Sequence, residues 1–564
     1  MRLFRPAIRP FVDRRTDASR ERLMQIALGC ALVYCTVVGR LVWLGTQEYE
    51  GPTLRGKGDP AITASRPDIL DRNGELLAMD IKMASMFAVP REVQDHRATA
   101  EALATVFPDL NLASTMRAFA APSSFRWLKR EVTPAQEAAV MALGLPGIRF
   151  ERESRRFYPA GRTAAHVLGH VNVDNQGTAG MEKRLDRDGL ADLHKYGFAS
   201  SKTLEPVKLS LDLRVQHFTR DALVKAMEKY KAIAAGGVVM DVATGEVLSL
   251  VSLPDYDPNR PSDALIPENM NRMTKGVFEM GSTFKAFTTA MALDSGRVRL
   301  TSRFDARKPV RFGRFRIGDF HGKNRILSTS EVFIYSSNIG TIRMAEAVGA
   351  EAHRAFLDKL HLIERMEFEL PETARPQEPR DRPWKPISAA TISFGHGLAT
   401  TPLQTAAAAA ALVNGGRYVP PTLVPRSREE ADGLAERVIR PETSDKMRYL
   451  FRLNVLAGSG RRAEVPGFGV GGKTGTADKA TGRGYATRRR FNAFLSAFPV
   501  DDPRYVVLVI LDEPKPEKPG RGATAGSNAA PTVAEIVRRA GPVLGVEPDM
   551  RVRDTGVLAN YRLR

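Results

Sequence analysis

The chain has 564 residues, 43% of them apolar, which is enough for more than one domain with a sizeable core. Its formal net charge of +19 would favour nucleic-acid binding in a cytosolic protein, but arginines and aromatic residues do not interleave as such binding requires, so no nucleic-acid partner is expected. The only two cysteines, Cys30 and Cys35, fall inside one apolar run, which excludes a disulfide framework and a cysteine-based metal site.

A basic tail precedes a long apolar segment at the N-terminus. Residues 1–22 carry seven arginines against three acids, and residues 23–44 are long and apolar enough to cross a bilayer as one helix. Arg40 and Trp43 lie near the far end of this segment, where both side chains suit the membrane interface. The positive-inside rule predicts a single-pass protein with a cytoplasmic N-terminus and its remaining chain outside the cytoplasm. A cleaved signal peptide is the alternative, although no Ala-x-Ala site follows. The basic surface would then face an anionic cell envelope.

A first domain is expected after the membrane segment. Residues 45–65 are rich in Gly, Pro, Lys and Thr and predict a linker, and Asn73-Gly74 is typical of a hairpin turn. Helices are expected near residues 92–107 and 134–142. His166 and His170 are spaced like metal ligands, but their segment predicts strand or turn and carries no accompanying Glu, so we interpret this pair as structural.

A second domain is expected from about residue 206. A strand leads into a helix that ends near Tyr230, and residues 237–251 contain two β-branched runs around Thr-Gly, which predicts a hairpin. Residues 298–325 are basic and lack a clear period, and we expect a surface loop. Further along, residues 491–498 and 505–512 predict another hairpin, with a polar loop before it at 478–490 and a last packed helix at 533–539.

The segment Glu279-Met-Gly-Ser282-Thr-Phe-Lys285 suggests nucleophilic catalysis. If Ser282 begins a helix, which is apolar through Ala292, Lys285 lies one turn away on the same face. The first-turn N–H groups would favour an oxyanion at the serine. A lysine can act as the base for this serine only if burial or a second cation lowers its pKa well below its usual value of about 10.4. The motif therefore requires another cation nearby.

Two further motifs follow in the chain. One is Ser336-Ser337-Asn338, and the other is Lys473-Thr474-Gly475-Thr476, which supplies a second cation and lies on a glycine-dense strand. Glycine weakens a strand unless something must approach the backbone closely, and an extended peptide substrate is such a partner. Ser-x-x-Lys, Ser-x-Asn and Lys-Thr-Gly, in this order, are the signature of penicillin-binding proteins and β-lactamases.

With these motifs, the chain resembles the class B penicillin-binding proteins, which are peptidoglycan D,D-transpeptidases of the bacterial inner membrane. The resemblance implies an α+β chain with a single N-terminal transmembrane helix, an elongated pedestal of the dimerisation type, and a transpeptidase domain of the penicillin-binding or serine β-lactamase-like type. In the latter, an antiparallel five-stranded sheet lies between helical clusters. The implied divisions are a cytoplasmic tail (1–22), the membrane helix (23–44), linker and pedestal (45–205), transpeptidase domain (206–545) and C-terminal tail (546–564).

The same resemblance implies a role for each site residue. Ser282 would be the nucleophile, Lys285 the general base, Ser336 a proton relay and Asn338 a positioning group, while Lys473 would stabilise neutral Lys285 and, with Thr474, Gly475 and Thr476, bind the terminal carboxylate. Backbone N–H groups of Ser282 and Thr476 would form the oxyanion hole. No cofactor is implied. Arg66, Arg156, Glu182 and Asp186 resemble pedestal motif residues that form internal salt bridges, and His396 is interpreted as a cleft-wall residue.

Partners and alternatives also follow from the resemblance. The substrates would be a D-Ala-D-Ala stem peptide and an amine acceptor, with β-lactams as inhibitors, and the partners an FtsW-like membrane glycosyltransferase of the SEDS type and divisome proteins. Septal (FtsI-type) members resemble the chain more than elongation enzymes do. The alternative hypotheses are a D,D-carboxypeptidase, a β-lactamase, a β-lactam sensor and a catalytically inactive scaffold protein. One departure is Met280, where the family usually has proline.

Overall fold

The computed structural model describes residues 66–190, 204–481, 484–518 and 522–550, together with parts of 24–40. The basic tail 1–22, the linker 45–65 and residues 551–564 lie outside the described residues. Of the predicted membrane segment 23–44 only parts are described, and residues 31–38 among them are helical. In the described ranges, no helix is long and apolar enough to span a bilayer.

The N-terminal region, residues 66–190, is built on a sheet whose longest strand lies in its middle. Asn73-Gly74 forms the expected turn, with Gly74 at a φ of 90°. The first strand also pairs in parallel with a strand that begins at Val207, so the two regions share this sheet. The strands are β1 (Ile69–Leu70), β2 (Leu76–Ala88), β3 (Arg126–Val132), β4 (Ile148–Phe157), β5 (His170–Val171), β6 (Gly177–Ala179) and β7 (Val207–Lys208). The order in this sheet is β3-β2-β1-β7 with β4 added to β2, whereas β5 and β6 form a separate pair.

Helices cover one face of this sheet. Ala84, Met86 and Ala88 alternate along β2 and are buried with Leu103 and Phe107, as the period of a half-buried strand requires. The helix predicted at 92–107 is shorter than expected, because its α-helical part begins only after Asp95, whose side chain caps it. The helices are α1 (His96–Val106), α2 (Leu112–Phe119), α3 (Pro134–Ala142), α4 (Ala165–Leu168) and α5 (Gly180–Leu185).

A buried ion network holds the N-terminal region together. Glu182 accepts hydrogen bonds from Arg66 Nε at 2.8 Å and from Arg156 Nε at 2.6 Å. All three side chains have an exposed fraction of 0%. Asp80 accepts a further bond from Arg156 at 3.1 Å, and Asp186 one from Arg66 at 2.7 Å. The structure thus confirms that these charged residues form internal salt bridges.

We expect Glu182→Gln to destabilise the protein by at least about 3 kcal/mol, because removing one partner leaves two buried guanidinium groups without their shared counter-charge. Urea unfolding of the purified protein measures this change. The matched control is Glu101→Gln, which breaks the exposed Arg97–Glu101 pair and should leave the free energy of unfolding almost unchanged. Equal effects of the two substitutions would show that the buried network does not stabilise this region.

The C-terminal region, residues 204–550, contains the expected antiparallel five-stranded sheet. The strands of this region are β8 (Ala234–Asp241), β9 (Val247–Leu253), β10 (Arg303–Asp305), β11 (Val310–Phe312), β12 (Phe315–Ile317), β13 (Ile326–Ser328), β14 (Arg417–Tyr418), β15 (Glu436–Arg437), β16 (Gly471–Thr481), β17 (Gly484–Phe498) and β18 (Tyr505–Asp512). The order in the five-stranded sheet is β16-β17-β18-β8-β9, so the Lys-Thr-Gly strand β16 lies at one edge, and β10 to β15 form separate two-stranded pairs. The two predicted hairpins form neighbouring strands of the five-stranded sheet.

Helices pack on both faces of this sheet. One hydrophobic cluster contains the helix that follows Ser282, and a second contains the first and last helices of the region. The helices are α6 (Leu213–Tyr230), α7 (Lys285–Asp294), α8 (Thr329–Ile334), α9 (Asn338–Val348), α10 (Ala350–Lys359), α11 (Pro386–Ser393), α12 (Pro402–Val413), α13 (Arg428–Leu434), α14 (Pro441–Ala457) and α15 (Ala529–Val543).

Two loop predictions were wrong. Residues 298–325 contain the short strands β10, β11 and β12, whose three-residue lengths are too short to show a period of two. Most of residues 478–490 belong to β16 and β17, which continue to pair with each other past the end of β18. The polar sequence of this segment does not prevent that backbone pairing. The register shifts between Asp478 and Lys479, which marks where this extension begins.

Candidate active site

Ser282 lies in a tight turn that precedes the buried helix α7. The turn is a 3₁₀ helix over Gly281–Phe284, whereas the sequence predicted that Ser282 would begin the α-helix itself. Every residue of α7 from Lys285 to Leu293 is buried, so the helix is central, as expected. Ser282 is partly exposed, so it remains accessible to a ligand beside the buried helix.

Lys285 is buried, with 1% of its surface exposed, and its amine is held by the Ser-Ser-Asn motif. Nζ donates to the Ser336 carbonyl at 2.6 Å and to Asn338 Oδ1 at 2.7 Å, and it lies 3.1 Å from Ser336 Oγ. Burial lowers the pKa of Lys285 to about 7, although the nearby Asp319 carboxylate opposes this change. A substantial fraction of the amine is therefore neutral near pH 7.

Lys473 lies beside Lys285, as the motif predicted, but it is burial and not Lys473 that lowers the pKa of Lys285. Lys473 Nζ donates to Ser336 Oγ at 3.0 Å and to the Thr474 carbonyl at 3.2 Å. Burial lowers the pKa of Lys473 well below its ordinary value, and the positive charge of Lys285 lowers it further. Ser336 Oγ thus bridges the two lysines, and its backbone reaches this position at a φ of 55°, which is unusual for a serine.

The Lys-Thr-Gly strand lies directly against the serine turn. A Cβ added to Gly475 would lie 2.4 Å from the Met280 carbonyl oxygen, so only glycine allows this approach. Thr474 Oγ1 lies 2.6 Å from Ser459 Oγ, and Thr476 Oγ1 accepts a hydrogen bond from the Ala525 N–H at 3.1 Å. The structure therefore brings Lys285, Ser336, Asn338 and Lys473 into contact and places the Thr474–Thr476 strand against the turn that carries Ser282.

A glycine turn around His396 also contacts the serine turn. Gly395 has a φ of 92° and its carbonyl accepts a hydrogen bond from the Gly281 N–H at 3.2 Å. The Gly397 N–H donates to Glu279 Oε1 at 2.7 Å. Burial, with a smaller effect of Lys285, lowers the pKa of His396 to about 4. His396 is therefore neutral at physiological pH, and its place in a cleft wall stays a prediction.

We expect Gly395→Ala to reduce acylation of Ser282 by at least about tenfold, because its Cβ would lie 1.8 Å from the Gly281 carbonyl oxygen and displace the serine turn. The rate of covalent labelling by a fluorescent penicillin measures this effect. Gly415→Ala is the matched control, since Gly415 has a similar φ of 87° and no atom within 4 Å of the added Cβ. If both variants label at the same rate, contact between the two turns does not control the site.

Sequence reasoning missed Asp319, which contacts the Ser-Ser-Asn motif from the segment predicted as a loop. The sequence feature that could have drawn attention to Asp319 is that residues 298–325 contain only two acidic residues, Asp305 and Asp319. The histidine pair lies elsewhere: His166 Nε2 is 2.7 Å from the Asn269 carbonyl oxygen, and His170 begins β5. The hydrogen bond of His166 supports the structural interpretation, although His166 lies in the short helix α4 rather than in a strand or turn.

This arrangement can carry out acyl transfer. It combines an accessible hydroxyl, a buried amine with a pKa of about 7 and a second amine linked to the first through Ser336 Oγ. A neutral amine of this kind is a suitable base for a serine hydroxyl, because its pKa lies near the working pH. The edge position of β16 leaves one side of that strand open for an extended peptide.

Two family models match this chain and together extend over most of it. The penicillin-binding protein transpeptidase domain matches residues 235–538. The penicillin-binding protein dimerisation domain matches residues 61–195. The first of these matches contains every candidate catalytic residue named above.

Curated relatives match across both regions. The chain is 40% identical over 500 residues to the "Probable peptidoglycan D,D-transpeptidase FtsI" of Caulobacter vibrioides, covering 86% of this chain and 82% of the relative. The peptidoglycan D,D-transpeptidase FtsI of Escherichia coli K12 is 30% identical, with 92% of each chain covered. A solved structure of penicillin binding protein 3 from Mycobacterium tuberculosis, complexed with aztreonam, matches with a TM-score of 0.65 at 23% identity, over 86% of this chain and 97% of that one. This structural match supports the two-domain fold.

Proposed function

The chain belongs to the penicillin-binding protein transpeptidase family, and on this premise we propose that it is a peptidoglycan D,D-transpeptidase that cross-links stem peptides through an acyl-serine intermediate. The observation that carries the proposal is the position of Ser336 Oγ, which accepts hydrogen bonds from both Lys285 and Lys473 beside the serine turn. The names of the relatives support the reaction class.

Acylation begins with attack of Ser282 Oγ on the carbonyl of the penultimate D-alanine. Neutral Lys285 takes the hydroxyl proton, and a tetrahedral intermediate forms. The backbone N–H groups of Ser282 and Thr476 stabilise its oxyanion, and this role is supported by the close packing of Gly281 on Thr476. The C–N bond then breaks, Ser336 passes a proton from the lysine pair to the leaving amine, and free D-alanine departs from an acyl-serine ester.

Substrate binding depends on the edge strand. The donor peptide lies beside β16 as an added strand, and its terminal carboxylate binds near Lys473, Thr474 and Thr476. Gly475 keeps this strand close to the serine turn. Asn338 orients Lys285 through its 2.7 Å hydrogen bond and contacts the substrate amide. β-Lactams enter the same site because they carry an equivalent carboxylate beside a reactive amide.

The second half-reaction and the cellular setting complete the proposal. An amine from a neighbouring stem peptide attacks the ester, which forms the cross-link and regenerates Ser282. The FtsI relatives support a septal role in cell division. We also propose that the chain is anchored in the membrane with its catalytic domain outside the cytoplasm, and that its domains have the boundaries predicted from the sequence. The proposed partners are an FtsW-like glycosyltransferase and divisome proteins.

A direct assay of the purified protein tests this function. A donor stem peptide ending in D-Ala-D-Ala is incubated with a labelled amine acceptor, and both free D-alanine and the cross-linked product are measured. Cross-linked product formed in proportion to released D-alanine supports the transpeptidase. Release of D-alanine without cross-linking would make the protein a carboxypeptidase. No release from folded protein, a separate aliquot of which is shown to react with penicillin, would exclude both activities.

A further inference from the structure

We propose that Asp319 is a positioning residue of the active site, which fixes the Ser-Ser-Asn motif and through it the amine of Lys285. This inference rests on the proposed acylation of Ser282. Asp319 follows β12 and is half-buried, and its carboxylate makes contact with a motif that lies almost twenty residues further along the chain.

Both carboxylate oxygens of Asp319 are used at the start of helix α9. Oδ2 accepts a hydrogen bond from Ser337 Oγ at 2.7 Å, and Oδ1 accepts one from the Ile339 N–H at 2.9 Å. Ser337 Oγ in turn accepts from the Gly340 N–H at 3.0 Å and caps the helix. A carboxylate at a helix N-terminus is favoured by the helix dipole and by charge-assisted hydrogen bonds, so this contact fixes the first turn firmly.

The neighbouring backbone fixes the side chain that contacts the lysine. Asn338 Nδ2 donates to the Gly318 carbonyl at 3.0 Å, and its Oδ1 accepts from Lys285 Nζ at 2.7 Å. The first contact determines which end of the amide faces the lysine, because only the oxygen can accept from an ammonium. Gly318 and Asp319 together therefore hold the backbone and side chains of Ser337 and Asn338 in place.

Asp319 also acts on the charge of Lys285. Its carboxylate is the acid that favours the protonated amine, while burial has the opposite and larger effect on the pKa. Among the described residues, the charge of Lys285 in turn lowers the pKa of Lys473 on β16 and of His396 in the glycine turn. Asp319 has the opposite sign of charge to these groups and opposes the effect of burial on Lys285.

The test is the pH dependence of penicillin acylation for three variants. Asp319→Asn removes the negative charge, and it also removes one of the two hydrogen bonds that the carboxylate accepts. We expect its maximal acylation rate to fall about tenfold and the acid limb of its profile to move to lower pH, because neutral Lys285 becomes easier to form. Asp319→Ala should lose about a further tenfold in rate. Asp305→Asn is the control, since Asp305 lies in the same segment and pairs with exposed Arg307.

The expected shift separates positioning from a purely structural role. A merely structural Asp319 would reduce the fraction of protein that labels, or its melting temperature, and leave the pH limb of the remaining active protein in place. An unmoved limb, or a rate for Asp319→Asn equal to that of Asp305→Asn, would overturn the proposal. Wild-type protein that fails to label would instead refute the proposed function, so the two failures are distinguishable.

Discussion

Ser282→Ala is expected to abolish covalent labelling of the protein by penicillin. The structure presents Ser282 as a partly exposed residue in the 3₁₀ turn that precedes a buried helix, three residues before a buried lysine. Removing its Oγ removes the atom that forms the ester, so no acyl-enzyme can form at this site. Intact mass spectrometry should show a single stoichiometric adduct in the wild-type protein and none in the variant.

Ser295→Ala is the control for this result, because Ser295 lies exposed at the other end of the same helix and should label like the wild type. An adduct that persists in Ser282→Ala would assign the nucleophile to another residue, for which Ser336 is the nearest candidate. The lifetime of the wild-type adduct adds a second result: slow loss indicates a transpeptidase, whereas rapid turnover indicates a β-lactamase.

The residues that touch the reacting atoms could be predicted because short motifs encode them. Ser282 and Lys285 are separated by less than one helical turn, so their proximity follows from local geometry even though the turn is 3₁₀. Lys473 is distant in sequence, and its place beside Ser336 followed only from the order of the motifs. The five-stranded sheet was predicted from two sources: β-branched runs indicated its hairpins, and the family resemblance indicated the number of strands.

The support around these residues could not be predicted. Gly395 and Gly281 are in contact because two loops meet in the fold, and no local pattern in either loop encodes that contact. Asp319 directly follows a strand too short to show a period, and its partner Ser337 was assigned only as part of a motif. Contacts of this kind depend on the tertiary arrangement, which overrides local propensity where the two conflict.

Acylation by the wild-type protein is expected to rise with pH through about 7 and then to level off. Lys285 must be neutral to take the proton of Ser282, and burial places its pKa at about 7. Below that pH the amine is protonated and cannot act as the base, so the rate should fall about tenfold for each unit further down. Stopped-flow labelling with a chromogenic cephalosporin between pH 5 and 9 measures the profile.

Lys285→Arg makes this test specific to the base. A guanidinium keeps the positive charge and hydrogen-bond donors that contact Ser336 and Asn338, but it stays protonated throughout the range. We expect the rate to fall by about 10²–10⁴, the usual contribution of a general base, and the rise near pH 7 to disappear. Lys275→Arg, at an exposed position a short distance before Ser282, should behave like the wild type. If Lys285→Arg instead retained a rise with pH, the base would be a different group. Lys473 would then be that group, because its buried amine also contacts Ser336 Oγ and its pKa is lowered as well.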